Sequence, residues 1–178
     1  MKSTDLIMNP KNFMRNNKFL PKLIRARAPL RLGLAGGGTD VSPYCDLHGG
    51  YVLNGAIDRY AYAVIKIVDE PILRIIATDQ QEKAVYSIND SLISNGKLAL
   101  HKAVYAHMIN NFNHGIPIPL ELTTFCDAPV GSGLGSSSTL VVAMIKAFVE
   151  LLNLGLGDYE IASMAFKIER IDCGLHVS

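Results

Sequence analysis

Three cysteines, Cys45, Cys126 and Cys173, are the whole supply in 178 residues, and no two stand in a CxxC spacing. An odd number so widely spread excludes a disulfide framework and gives no zinc pattern, which leaves them as reduced packing residues. Charge of one sign is equally scarce: seventeen Lys plus Arg stand against sixteen Asp plus Glu, a formal net charge of +1. No bulk field therefore draws the chain to nucleic acid or to a membrane, and a charged partner requires a local site. Long hydrophobic runs are missing too, since nothing approaches the roughly 18 apolar residues that span a bilayer. The first 22 residues are polar and basic (Lys2, Lys11, Arg15, Lys18, Lys22) and lack the apolar centre of a secretory signal, so a cytoplasmic location is expected. This arm, residues 1–22, reads as a basic flexible extension or an over-long start, Met8 and Met14 being further start points, with a nucleic-acid or membrane arm as the alternative.

With 49% hydrophobic and 19% charged residues, the remainder can bury one ordinary core. Residues 24–34 are extended in character, with Pro29 confining them to an edge or an end because it lacks an N–H. Residues 51–57, 60–68, 72–78 and 83–88 are β-branched or aromatic runs separated by Gly, Asp, Asn or Pro, the pattern of sheet strands. A helix is expected over 98–113, where Tyr105, Met108, Ile109 and Phe112 recur at helical spacing and Gly115 with Pro117 follows. Residues 120–126 read as another strand, and 136–152 as a nearly all-apolar, buried helix. A third helix begins near Asp158, read as its N-cap, and runs towards Gly174.

The chemistry concentrates between that strand and the buried helix, at Pro129-Val130-Gly131-Ser132-Gly133-Leu134-Gly135-Ser136-Ser137-Ser138. A helix start presents unbonded N–H groups and about half a positive charge, and glycines there let an anionic phosphate approach the backbone. One serine suffices as a helix cap; the other two are left for a ligand, phosphate or magnesium. The spelling excludes the GxxxxGK[ST] loop, GxGxxG and the GxSxG elbow. A tight strand-to-helix turn with serine caps and no ligand is the competing reading.

This stretch resembles the phosphate loop of the GHMP kinases (galactokinase, homoserine kinase, mevalonate kinase and phosphomevalonate kinase), written PxxxGLGSSAA. A second segment, Arg27-Ala28-Pro29-Leu30-Arg31-Leu32-Gly33-Leu34-Ala35-Gly36-Gly37-Gly38-Thr39-Asp40, is similar to the substrate-side motif of the branch containing bacterial heptose phosphate kinases. The resemblance covers about residues 23–178, which it identifies as an N-terminal ATP-binding domain. The fold it implies is α+β, a two-layer sandwich like a ribosomal-protein domain, with a left-handed βαβ unit of a hand rarely seen.

The resemblance further implies roles. Pro129, Gly131, Ser132, Gly133, Leu134, Gly135, Ser136, Ser137 and Ser138 would hold ATP, with magnesium on Ser137 and Glu169. Without the resemblance, Glu169 reads as a solvated helix residue paired with Arg170 or Lys167. Arg31, Gly36, Gly37, Gly38, Thr39 and Asp40 would line a sugar site, Asp40 accepting hydroxyl protons; its alternative is an Asx-turn ahead of Pro43, and that of Arg31 a structural carboxylate partner. The reaction implied is transfer of the ATP γ-phosphoryl group to a sugar hydroxyl, in this branch the anomeric hydroxyl of D-glycero-D-manno-heptose 7-phosphate, with another sugar such as fucose as the variant. The small-molecule sugar or sugar phosphate is then the partner, with neither nucleic acid nor membrane. Family members carry a catalytic aspartate about ten residues beyond the glutamate, then a second domain. Neither precedes Ser178, so no catalytic residue is assigned; a truncated chain of weak or no activity is expected, with a natural short nucleotide-binding module without catalysis as the alternative, and uncovered apolar surface would favour a homodimer.

Overall fold

Side chains alternate between two faces of a strand, and burial follows that period of two along the central strands of this chain. The computed structural model describes residues 23–90, 96–129 and 131–169. The basic arm, Val130, and the stretch from Arg170 that includes Asp172, Cys173 and Gly174 lie outside the described residues. Five strands form one sheet: β1 (Leu23–Ala35), β2 (Leu53–Ile67), β3 (Ile72–Ala77), β4 (Glu82–Ser87) and β5 (Leu120–Cys126). Their order is β1-β2-β5-β3-β4, with β3 and β5 parallel and every other neighbouring pair antiparallel. Pro29 thus sits in an edge strand, where its missing N–H breaks no second ladder.

One sheet face carries Ala61, Ala63, Ile65, Leu73, Ile75, Leu120 and Leu122, all buried. The other is open, with Arg25, Lys66, Lys83 and Phe125 exposed. Four helices follow the chain: α1 (Tyr44–His48), α2 (Ala99–Phe112), α3 (Ser136–Leu151) and α4 (Asp158–Lys167). α3 crosses β1 and β2 and touches α2 and α4. Alanines on both sides of that contact, Ala61 and Ala63 on the sheet and Ala143 and Ala147 on the helix, allow close approach, while Met144, Ile145 and Phe148 fill the layer without exposed surface. This is the expected two-layer α+β sandwich. The connection from β3 to its parallel neighbour β5 passes through β4 and α2. Among the described residues no helix is long and apolar enough to cross a membrane.

Three local readings change. Residues 51–57 and 60–68 are one strand instead of two: the Asp58-Arg59 interruption is a bulge, because Pro29 faces Tyr60 whereas Arg31 faces Ala56, so three residues of β2 oppose Leu30 alone. α1 was not visible in the sequence, its five residues being fewer than two turns between Pro43 and Gly49. Asp158 is the first residue of α4, and Gly157 is the N-cap, its N–H accepted by the Glu160 carboxylate. The helix ends behave as read: Gly115 returns its N–H to the Ile109 carbonyl at 3.0 Å, and the helix read over 136–152 gives way at Asn153, left-handed at φ 51°.

His101 on α2 is buried against the sheet, its Nε2 2.8 Å from the Thr124 hydroxyl and its Nδ1 without a partner among the described residues. Burial lowers its pKa from 6.5 to about 4. The unfolded chain therefore takes up a proton below pH 6.5 that the folded chain refuses until about pH 4. Stability should fall through that window, by about 3 kcal/mol in all, and lose nothing more from this group below it. Urea unfolding at pH 7.5 and 4.5 measures the loss, and His101→Gln should remove most of it; an equal pH dependence in the variant would refute the assignment.

Candidate active site at the glycine loop and the cleft beside it

The route from β5 into α3 is pinned before it turns. The Asp127 carboxylate accepts the Tyr60 N–H at 2.8 Å, and the Asp127 N–H donates to the Tyr60 carbonyl at 2.9 Å. The loop then takes left-handed φ at Gly131, Gly133 and Gly135, of 80°, 72° and 70°. Left-handed residues alternating with others are the pattern that gathers main-chain N–H groups into an anion-holding concavity. Among the described residues beyond its immediate neighbours, a Cβ at Gly131 or Gly133 would meet nothing within 4 Å, so the space beside these two positions is open to a ligand.

Gly135 is the N-cap of α3, and no side chain caps that helix end. The serines therefore are not caps, and two of the three hydroxyls face a carboxylate. Ser137 donates to Glu169 Oε1 at 2.9 Å and Ser138 to Oε2 at 2.6 Å. Glu169 is 8% exposed, so the solvated-surface reading fails. Beyond Lys167 the last helix widens into a π-turn through Ile168 and Glu169, a distortion frequent at functional sites. The carboxylate and the Ser137 hydroxyl form a set of hard oxygen donors, few enough to leave a cation most of its shell for phosphate and water, as magnesium requires.

The glycine-rich turn after β1 lies close by. Its members divide into two kinds. Gly36 and Thr39 hold the turn: a Cβ at Gly36 would fall 1.9 Å from the Tyr51 carbonyl oxygen, and the Thr39 hydroxyl accepts the Tyr51 N–H at 3.1 Å and lies 2.7 Å from the Gly36 carbonyl. Gly37, Gly38 and Asp40 instead line a cleft of about 630 Å³, together with Arg31, Ser138 and Glu169. Asp40 is exposed and makes no local hydrogen bond among the described residues, which sets aside the Asx-turn alternative. Arg31 meets Asn54 instead of a carboxylate. Residues read from two motifs more than ninety positions apart in sequence thus share one opening, while Pro129, Gly131, Ser132, Gly133, Leu134, Gly135, Ser136 and Ser137 stand outside its lining.

Sequence reading missed seven lining residues, Val41, Val52, Asn54, Val142, Ala162, Ala165 and Phe166. Helical spacing could have found two of them, since Ala162, Phe166 and Glu169 share one face of the last helix. Asn54 had no local signal, because only the β1–β2 register brings it to Arg31. Of the cysteines, Cys126 is buried, with burial raising its thiol pKa, and Cys45 is also free.

Residues 99–177 match the family model of the GHMP kinases N terminal domain. The chain is 46% identical over 154 residues to the D-glycero-alpha-D-manno-heptose 7-phosphate kinase of Campylobacter jejuni, a match covering 86% of this chain and 45% of that protein. It superposes with a TM-score of 0.80 on the structure of a D-glycero-D-manno-heptose 1-phosphate kinase from Bacteroides thetaiotaomicron, at 47% identity, covering 87% of this chain and 50% of that one. The L-fucokinase/L-fucose-1-P guanylyltransferase of Bacteroides fragilis is 26% identical over 94% of this chain and 20% of its own length. The chain spans about half the length of the heptose phosphate kinases it matches. Together with the open glycine loop and the serine-held glutamate, these likenesses show that the chain belongs to the GHMP kinases.

Proposed function

We propose that this chain supplies the nucleotide-binding half of an ATP-dependent sugar kinase, which transfers the γ-phosphoryl group to a hydroxyl of a sugar or sugar phosphate. The observation that carries this reading is the Glu169 carboxylate, buried and accepting from Ser137 and Ser138 at the open start of α3. The heptose phosphate kinases among the relatives favour the anomeric hydroxyl of D-glycero-D-manno-heptose 7-phosphate as acceptor. The fucokinase relative makes fucose the second choice.

Each group in the chain has work suited to its chemistry. Main-chain N–H groups from Gly133 to Ser136 and the positive end of α3 hold the ATP phosphates, with Gly131 and Ser132 shaping the turn, where the Ser132 N–H donates to the Pro129 carbonyl, and Ser136 adding a hydroxyl. Ser137 and Glu169 would hold magnesium, which when bound offsets negative charge on the phosphates. Asp40 accepts hydroxyl protons of the sugar, and Gly37 and Gly38 let the ring approach the backbone. The acceptor oxygen forms a bond to the γ-phosphorus as the bond to the ADP oxygen breaks, and the hydroxyl proton passes to a base. The described residues named above serve that transfer by binding, orientation and charge.

Calorimetry with the magnesium complex of a non-hydrolysable ATP analogue tests the reading on this chain. Binding is expected, with Ser137→Ala weakening it about tenfold at an unchanged melting temperature, and Gly133→Val abolishing it with a lowered melting temperature, since φ of 72° strains a β-branched residue. A wild-type chain that takes up no nucleotide would sink the proposal, leaving a fold without the ligand. Glu169→Gln should remove the affinity gained on adding magnesium, about tenfold, while binding of the metal-free analogue stays within twofold. Equal magnesium dependence in variant and wild type would show that the ion binds elsewhere.

A further inference from the structure

Arg31 reaches two structures at once. Its main-chain N–H donates to the Leu134 carbonyl of the glycine loop at 3.2 Å. Its side chain lies over Gly135, where a Cβ would stand 3.1 Å from Nε and 3.2 Å from Cγ. The far end of the same side chain turns to the cleft wall, where Nη1 donates to Asn54 Oδ1 at 3.1 Å.

Strand register makes that last contact possible. Gly33 is the cross-strand partner of Asn54, and Arg31, two residues earlier in β1, shares its face. A Cβ at Gly33 would lie 3.6 Å from Asn54 Oδ1 and 3.7 Å from Arg31 Nη1, so a residue without a side chain leaves the diagonal between them clear. The partner's chemistry also matters. A neutral amide oxygen orients the guanidinium without neutralising it, whereas a carboxylate there would consume the charge.

We propose that Asn54 is a positioning residue: by fixing the Arg31 guanidinium it keeps that side chain across Gly135, so that the glycine loop and the acceptor wall are held as one body. Released from Asn54, an arginine has many staggered conformers, and most of them uncover Gly135 and loosen the turn that presents the first amides of α3. This inference rests on reading that loop as a phosphate site.

Two measurements on the whole 178-residue chain test it. In amide and arginine Nε–Hε NMR spectra without ligand, Asn54→Leu, close in size but without an acceptor, should shift Leu134 and Gly135 and broaden the Arg31 side-chain signal. Asn54→Asp, which restores an acceptor, should leave Leu134 and Gly135 near their wild-type positions. In calorimetry with the magnesium complex of a non-hydrolysable ATP analogue, Asn54→Leu should bind about fivefold more weakly at an unchanged melting temperature. Unmoved Gly135 and Arg31 signals in Asn54→Leu, or equal shifts in both variants, overturn the inference. So does nucleotide binding as tight in Asn54→Leu as in wild type, with the kinase reading left standing. A wild-type chain that binds no nucleotide removes the kinase reading and this inference together.

Discussion

The structure turns on one carboxylate held between two helix ends. Glu169 closes the last described turn of the chain, and Ser137 and Ser138 open α3, so their hydrogen bonds tie residues more than thirty positions apart. A carboxylate that is 8% exposed loses most of its hydration, and two hydroxyl donors are the compensation the fold provides. Three consequences follow from the same geometry. The serines are drawn away from capping; the amides at the helix start are left to other acceptors; and the wall formed by Ala162, Ala165 and Phe166 is brought against the glycine turn to close the cleft.

The legible part of this arrangement was the part with a local cause. Spacing of Tyr105, Met108, Ile109 and Phe112 gave α2 almost to the residue, and the left-handed stops at Gly115 and Asn153 ended helices where read. The glycine loop was legible because each left-handed position is costly for any other residue type, so three in five positions carry information. The sequence misjudged β2 because a bulge keeps a strand continuous through Asp58 and Arg59, residues that ordinarily interrupt one. Glu169 could not be placed by pattern, since a glutamate beside Lys167 looks solvated until packing of the last helix onto α3 is known. Only the resemblance to a family set its role beforehand.

Asn54 marks the limit of such reading more sharply. Nothing within five residues of it distinguishes it from a turn asparagine; its meaning comes from Gly33 across the ladder and from Arg31 beyond it. Gly36 is the reverse case. The sequence reading took it as part of a sugar site, whereas the turn needs it for the close passage of the Tyr51 carbonyl, and Thr39 serves the same turn. Within one GGGTD run, then, two residues build the scaffold and three line the opening. Composition treats them alike, and only the third dimension sorts them.

The charge distribution in the cleft bears on acceptor choice. Among the described lining residues Arg31 is the one cation, and they include the carboxylates Asp40 and Glu169. That cation lies against Gly135, at the glycine-loop end, and its outer nitrogen is engaged by Asn54. A phosphate already present on a sugar needs a cation of its own, away from the transferring group, or like charges would crowd one end of the cleft. The described walls therefore suit the hydroxyl-bearing ring and the incoming phosphoryl group. Recognition of a distal phosphate calls for a second positive group, which the described residues of these walls do not supply.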